Sequence, residues 1–170
     1  MFESLPDIPR LFTALAEWGA ALVYVFVVAR SASSNALNPN AAIPRWRLAV
    51  AAVGGLVVLV SAQELLGRAP LSLWVPGMMT AYALVWCVIR VGTALDWRWV
   101  THMSARAFIV AELAASLAWQ VVVYSHSDKP YWHPLSFGGF AAIAATCLAV
   151  IYFFERRVYR QGALPILRVS

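Results

Sequence analysis

Three glutamates and one glutamine lie inside stretches of the sequence that are otherwise apolar. These residues are Glu17, Glu64, Glu112 and Gln120. A carboxylate at the centre of a membrane costs about 2.5–3.5 kcal/mol or more, so it usually faces a partner group or a cavity. The chemistry open to such residues is hydrogen bonding, proton binding or ion binding, and their neighbours decide among these.

Helical spacing groups the polar residues into two stripes. The first stripe contains Thr13, Glu17 and Tyr24. The second contains Glu112, Ser116, Trp119 and Gln120. Residues three or four positions apart share one face of a helix, so we expect both stripes to face the interior of a helical bundle.

The depths of the glutamates argue against direct pairing. At 1.5 Å per residue, Glu17 would lie about 9 Å from one end of its apolar stretch and Glu112 a similar distance from the opposite membrane surface. Glu64 would lie close to a surface. Two interpretations stay open: the glutamates are protonated or hydrogen-bonded and hold helices together, or they belong to a signal-binding cavity or a proton-sensitive switch.

Five apolar stretches must position these residues. They cover residues 11–29, 48–66, 71–89, 105–124 and 137–154. A bilayer core is crossed by about 20 helical residues, and unpaired backbone amides in hydrocarbon exclude irregular spans. With 62% of its 170 residues hydrophobic and 12% charged, the chain is predicted to be all-α: a single transmembrane domain of five helices with no soluble domain.

The basic residues predict the orientation of the bundle. With the N-terminus outside, ten arginines fall on the cytoplasmic side, whereas Arg10, Arg68 and Lys129 fall outside. Basic loops stay in the cytoplasm, which gives an N-out, C-in, multi-pass protein. The predominance of arginine over a single lysine is typical of a GC-rich bacterial genome, so the expected location is a bacterial plasma membrane. The net charge of +5 is interpreted as a topology signal at the lipid boundary and not as a nucleic-acid surface.

The predicted outer loop, YSHSDKPYWHP, mixes aromatic and ionisable side chains. Its candidate residues are His126, Asp128, Trp132 and His133. The spacing of the two histidines allows their imidazoles to meet across a turn, but neither a cysteine nor a glutamate completes a metal set, so an interfacial loop that caps the bundle is favoured over a metal site. The same mixture suits binding of a small peptide or an amphipathic ligand.

Enzyme chemistry has no support in the sequence. Cys87 and Cys147 lie in apolar runs without CxxC spacing, which is typical of small buried apolar residues and not of a disulfide or a metal site. The chain has no Walker A, GxSxG or HExxH sequence. We therefore expect no catalytic activity and no cofactor.

Three stretches resemble the membrane sensor region of bacterial GHKL-type histidine kinases, broadly those that act as peptide-pheromone receptors. The stretches are LPDIPRLFTALAEWGAALVYV, RAFIVAELAASLAWQVVVY and FFERRVYRQGALPIL. Matching residues in the first are Pro6, Asp7, Pro9, Glu17 and Trp18, and in the second Glu112, Ser116, Trp119 and Gln120. The phosphoacceptor histidine and the ATP-binding boxes of such kinases are absent from these 170 residues. The resemblance therefore implies a sensor portion alone, either part of a longer protein or encoded separately, acting as a homodimer or with a kinase partner.

The predicted function is a membrane-embedded signal-sensing module of a histidine-kinase-type system. A ligand at the outer face would shift small-residue helix contacts, for which Ala111 with Ala115 and Gly138 with Ala142 are the candidates. The alternative is a small membrane transporter or accessory subunit that uses Glu17 and Glu112 to move protons or ions.

Overall fold

The computed structural model describes residues 8–34, 43–93, 95–125 and 133–160, and within these ranges the regular structure is entirely helical. Five of the helical segments in this part of the chain are long and apolar enough to cross a membrane. The elements are α1 (Arg10–Ser34), α2 (Arg45–Ala49), a π turn (Val50–Gly54), α3 (Gly55–Leu66), α4 (Trp74–Thr93), α5 (Trp97–Ser125) and α6 (Pro134–Arg160). Because α2, the π turn and α3 form one continuous span, Arg45–Leu66, the prediction of five apolar spanning helices is confirmed.

Helix α1 is the central helix of the bundle. It packs against α3, α4, α5 and α6, and the other spans follow one another around it in chain order. Its side chains are buried on several faces at once, as Phe12, Tyr24 and Val25 show with 1% exposure each. Alanines at positions 14, 16, 20 and 21 are also buried. Small side chains let neighbouring helices approach closely, so one helix can contact four.

The outer surface of the surrounding helices is apolar. Large exposed side chains include Val57 and Leu65 on α3, Ile109 and Leu113 on α5, and Phe153 on α6. Apolar patches of this extent are unfavourable in water, whereas lipid chains solvate them without cost. The surface therefore agrees with the length and hydropathy of the five spans.

Small residues line the contacts between helices. On α5, Ala111 and Ala115 are fully buried, so their predicted close helix contact is confirmed. Gly138 and Ala142 are exposed, and a Cβ at Gly138 would meet nothing within 4 Å. The predicted contact at Gly138 is therefore wrong, because α6 packs through a different face that carries Phe140.

Two boundaries differ most from the sequence prediction. Helix α5 begins at Trp97, eight residues before the expected start, and α6 continues to Arg160, six residues past the expected end. Charged residues lower the hydropathy of these segments without interrupting the backbone hydrogen bonds.

Cys87 is exposed and Cys147 half-buried, so the expected deep burial is wrong for Cys87, which lies on the outward face of α4.

Candidate functional site

The first polar cluster in the bundle centres on Glu17, and we call it the Glu17 cluster: Arg10, Glu17, Gln63 and Glu112. Glu17 is 0% exposed and Gln63 3% exposed. The Gln63 Nε2 amide donates a 2.8 Å hydrogen bond to Glu17 Oε1, which joins α1 to α3. The second carboxylate oxygen, Glu17 Oε2, is buried and has no hydrogen-bond partner among the described residues.

Glu112 approaches this cluster from α5. The ring contact of Phe12 with Trp119 and the link from Tyr24 through Glu155 to Arg106 fix how α1 lies against α5, and they place Glu112 near the level of Glu17. The Glu112 Oε1 atom is buried without a hydrogen-bond partner in the described part of the chain. The expectation that the two glutamates lie at different levels is therefore wrong, while no hydrogen bond is seen between their carboxyl groups in the described residues. Helix α5 begins at Trp97, so Glu112 lies about 22 Å from the start of that helix. This length brings Glu112 to the level of Glu17 in the bundle.

A cavity adjoins the Glu17 cluster at the end of the bundle where α3 turns into α4. Its volume is about 220 Å³. Its lining consists of Arg10, Gln63, Leu66, Gly67, Ala69, Pro70, Leu73, Trp74, Gly77 and Met78. A Cβ at Gly67 would lie 2.8 Å from Arg10 Cγ, so a glycine is what lets the Arg10 side chain cross this turn. Gln63 thus contacts the cavity and the buried Glu17 at once.

The second polar cluster lies nearer the opposite end of α1, and we call it the Glu155 cluster: Tyr24, Arg106 and Glu155. Glu155 is 1% exposed, forms an ion pair with Arg106 and accepts a 3.1 Å hydrogen bond from the Tyr24 hydroxyl. Nearby, Arg30 Nη1 donates to the Tyr152 hydroxyl at 3.0 Å. These contacts tie α1, α5 and α6 together around a buried charge.

Sequence reasoning missed the Glu155 cluster. Glu155 directly follows the predicted end of the fifth span, and Arg106 was interpreted only as a topology signal. The spacing of Phe140, Ala144, Leu148 and Glu155, at four, four and seven residues, places all four on one helix face. That pattern would have marked Glu155 as inward-facing.

Of the other predicted membrane residues, the two tryptophans contact neighbouring helices, and the remaining polar residues are half-buried or exposed. Trp18 Nε1 donates a 2.7 Å hydrogen bond to the Ala52 carbonyl in the π turn, and Trp119 contacts Phe12 edge to face at 6.1 Å. Ser116 is half-buried, whereas Glu64 and Gln120 are exposed. The expectation that Gln120 faces the interior is wrong, because the alanine face of α5 takes that position.

Most of the predicted outer loop lies outside the described residues. Asp7, His126, Asp128 and Trp132 belong to segments that the structure does not describe. His133 is described, and its Nδ1 atom accepts a 3.3 Å hydrogen bond from the Leu135 amide at the start of α6. This geometry supports the role of a helix-capping residue for His133.

Comparison of the chain with models of known protein families, with curated protein sequences and with solved structures found no match. The fold and the site themselves define the class: a multi-pass helical membrane protein. Its distinguishing features are two clusters of buried polar side chains, both of which involve the central helix α1.

Proposed function

We propose that this protein is a membrane-embedded sensing module that binds a small ligand at the cavity and passes the change across the membrane through α1. One observation carries the proposal. Gln63 lines the cavity and donates its side-chain hydrogen bond to Glu17, on the helix that packs against all the other spans. A ligand that displaces Gln63 would therefore alter a contact of the central helix.

The cavity lining indicates the chemistry of the ligand. Arg10 offers a cation, while Leu66, Leu73 and Trp74 offer apolar surface. A volume of about 220 Å³ is below the 300–1,000 Å³ typical of sites for drug-sized molecules. A small peptide side chain or an amphipathic molecule with one anionic or polar group fits this description.

The output of the module would be the end of α6. Tyr24 and Arg30 on α1 hydrogen-bond to Glu155 and Tyr152 on α6, directly before the basic residues Arg156 and Arg157. We place this end in the bacterial cytoplasm from the distribution of arginines, and take the receiving partner to be a histidine kinase from the sequence resemblance. In this proposal the unit is a homodimer or a complex with that kinase.

Hydrogen–deuterium exchange of the full chain in lipid nanodiscs tests the coupling between the two clusters. We expect Gln63→Leu to raise exchange at the Arg10 end of the bundle and also in the Tyr152 to Arg157 segment of α6. The matched control is Glu64→Gln, at an exposed neighbouring position, which should leave both regions unchanged. A change confined to the Arg10 end would contradict the proposal.

A second candidate function is movement of ions by a small transporter or accessory subunit. The observation that favours it is that three buried carboxylate oxygens have no hydrogen-bond partner in the described residues. Two of them, Glu17 Oε2 and Glu112 Oε1, belong to the glutamates of this candidate, and the third is Glu155 Oε2. If it holds, liposomes with the protein will show pH-dependent flux that Glu17→Gln abolishes. Absence of flux with the unmodified protein would remove this candidate.

A further inference from the structure

We propose that the cavity beside Gln63 holds the anionic headgroup of a membrane phospholipid, with the phosphate on the Arg10 guanidinium and the acyl chains outside, along α3 and α4. The inference rests on the proposed function only in taking this cavity as the ligand site. It names the class of the ligand, a lipid-anchored phosphate diester with a net negative charge, which enters from the bilayer and not from water.

The first step is a cation without a counter-charge. Arg10 lines the cavity and is half-buried. Among the residues that the structure describes, neither a hydrogen bond nor an ion pair engages its side chain. A guanidinium offers five N–H donors in a planar fork that matches the oxygens of a phosphate group. An anion in the cavity would therefore meet donors that the protein itself leaves free.

The second step is the position of this guanidinium, which Gly67 determines. The Arg10 side chain crosses the turn after α3 so closely that a Cβ on Gly67 would lie 2.8 Å from Arg10 Cγ and 3.4 Å from Nε. Backbone hydrogen bonds close the turn, from the Gly67 amide to the Gln63 carbonyl at 2.9 Å and from the Ala69 amide to the Leu66 carbonyl at 3.1 Å. The cation is therefore held against the wall of the cavity.

The third step is the opening of the cavity toward lipid. Leu73 and Trp74 line it and are also 48% and 55% exposed, so its wall continues into the apolar outer surface, which includes the exposed Val75 on α4. A volume of about 220 Å³ has room for a headgroup and not for two acyl chains. The chains must therefore lie on the outer surface, and an indole such as that of Trp74 is typical of the level where headgroups meet hydrocarbon.

The fourth step is the choice among phospholipids, which charge decides. Arg68 is exposed in the same turn, and Glu64 is exposed on the last turn of α3, so two basic side chains with Arg10 face one acidic side chain. Phosphatidylcholine would bring a second cationic group to this basic turn, whereas phosphatidylglycerol brings a net negative charge. Phosphatidylglycerol is therefore the probe, and phosphatidylcholine with the same acyl chains is the matched comparison.

Lipid binding to the purified full chain in a mild detergent tests the site. Native mass spectrometry counts the phospholipids on the intact protein and gives a dissociation constant for each lipid. We expect a first phosphatidylglycerol to bind about tenfold more tightly than phosphatidylcholine, because hydrogen bonds between charged groups are the stronger ones. Equal affinities for the two lipids would overturn the proposal.

Variants in the turn locate the bound lipid. Arg10→Gln removes the cation and should weaken phosphatidylglycerol binding about tenfold. Gly67→Ala keeps every charge but places a methyl group against the Arg10 side chain, so we expect a loss of similar size. The control Arg68→Gln removes an exposed charge that is not part of the cavity lining and should cost about threefold or less. If Arg10→Gln does not fold, Gly67→Ala decides, and undiminished binding there would overturn the site.

Soluble competitors separate a lipid from a ligand dissolved in water. Inorganic phosphate and glycerol phosphate carry the same anionic chemistry without acyl chains. Neither should displace phosphatidylglycerol even in large excess, because the chains supply most of the apolar burial. Displacement by either one at a concentration comparable to that of the lipid would overturn the lipid as the source of the phosphate.

The lipid site and the sensing function fail in different ways. If phosphatidylglycerol binds as expected but Gln63→Leu leaves hydrogen exchange in α6 unchanged, the sensing function is wrong and the lipid site stands. If Gln63→Leu changes exchange in α6 but the protein binds both lipids equally, the lipid site is wrong and the sensing function needs another ligand.

Discussion

At the scale of single residues, Glu17 and Glu155 show how different surroundings set different roles for the same side chain. Glu155 is ion-paired with Arg106 and hydrogen-bonded to Tyr24, so its charge is compensated within the protein. Among the residues that the structure describes, the hydrogen-bond donor to Glu17 is the neutral amide of Gln63. In both glutamates the Oε2 atom has no hydrogen-bond partner among the described residues, so the difference between them is the cation beside Glu155. The structural interpretation of the buried glutamates thus suits Glu155.

The Arg106–Glu155 pair should stabilise the bundle measurably. Arg106→Gln leaves the buried Glu155 without its cation, so we expect a loss of about 1–3 kcal/mol in the free energy of unfolding, discounted because Arg106 is 37% exposed. Unfolding in mixed micelles measures this loss. In a double-mutant cycle, adding Glu155→Gln should recover part of it. Arg98→Gln, at an exposed position, is the control, and equal effects of Arg98→Gln and Arg106→Gln would contradict the assignment.

The Trp18 indole should matter through its hydrogen bond more than through its size. Trp18→Phe keeps an aromatic ring but removes the indole donor to the Ala52 carbonyl, which still accepts a backbone N–H at the end of the π turn, so we expect a loss of about 0.5–1.5 kcal/mol. The thermal unfolding midpoint should therefore fall. Trp46→Phe, at a side chain that is 64% exposed, should change little. A midpoint unaffected by Trp18→Phe would show that the Ala52 carbonyl finds another donor.

At the scale of secondary-structure elements, the π turn marks where the second span meets α1. A π turn departs from the regular i→i+4 hydrogen-bond ladder and is common at functional sites, and here the Trp18 indole bonds to a carbonyl within it. The same region packs against α4, where a Cβ on Gly92 would lie 2.7 Å from Val25 and 3.2 Å from Ala51. Three spans therefore meet with almost no spare volume.

Gly92→Ala should destabilise the protein for this reason. The added methyl group would overlap the Val25 side chain, and overpacking costs about 1–3 kcal/mol. Gly138→Ala is the matched control, because its Cβ would meet no atom within 4 Å and alanine favours a helix by up to about 1 kcal/mol over glycine. We expect opposite shifts in the unfolding midpoint. Shifts of the same sign would contradict the packing of α4 on α1.

Arginines also act on the ends of helices. Arg47 Nε donates to the Val91 carbonyl at 2.8 Å, and Arg90 donates to the Leu95 carbonyl just beyond α4. Cationic side chains at a helix C-terminus satisfy carbonyls that have no intrahelical partner. Residues that the sequence marks as topology signals therefore also stabilise the turn between α4 and α5.

At the scale of the whole molecule, the central position of α1 connects its two ends. The Glu17 cluster and the Glu155 cluster both include α1 side chains, Glu17 and Tyr24, about two helical turns apart. In the proposed sensing function, a displacement of this helix would pass from one cluster to the other. The central position of α1 is also the reason why substitutions on α1 should affect more contacts than substitutions on the outer spans.

The orientation of the bundle stays a prediction from the arginine distribution. With five spans, labels attached before Arg10 and after Arg160 should lie on opposite sides of the membrane, with the latter on the cytoplasmic side. Accessibility of single introduced cysteines to an impermeant reagent in intact cells measures this, after Cys87 and Cys147 are replaced. Labels on the same side would contradict the span count, and a cytoplasmic N-terminal label would contradict the orientation alone.

The sequence by itself determined the class of protein and the number of apolar spans, because the hydrophobic length needed to cross a bilayer is a local property of the chain. It also determined that Glu17 and Tyr24 face inward, since helical spacing and the cost of exposing a carboxylate to lipid act along one segment. Only the tertiary structure decided that α1 is central, that Gln63 is the partner of Glu17, and that Glu155 pairs with Arg106. These facts depend on which helix faces meet across distances of 46 to 131 residues in sequence, and no periodicity within a single helix encodes that choice.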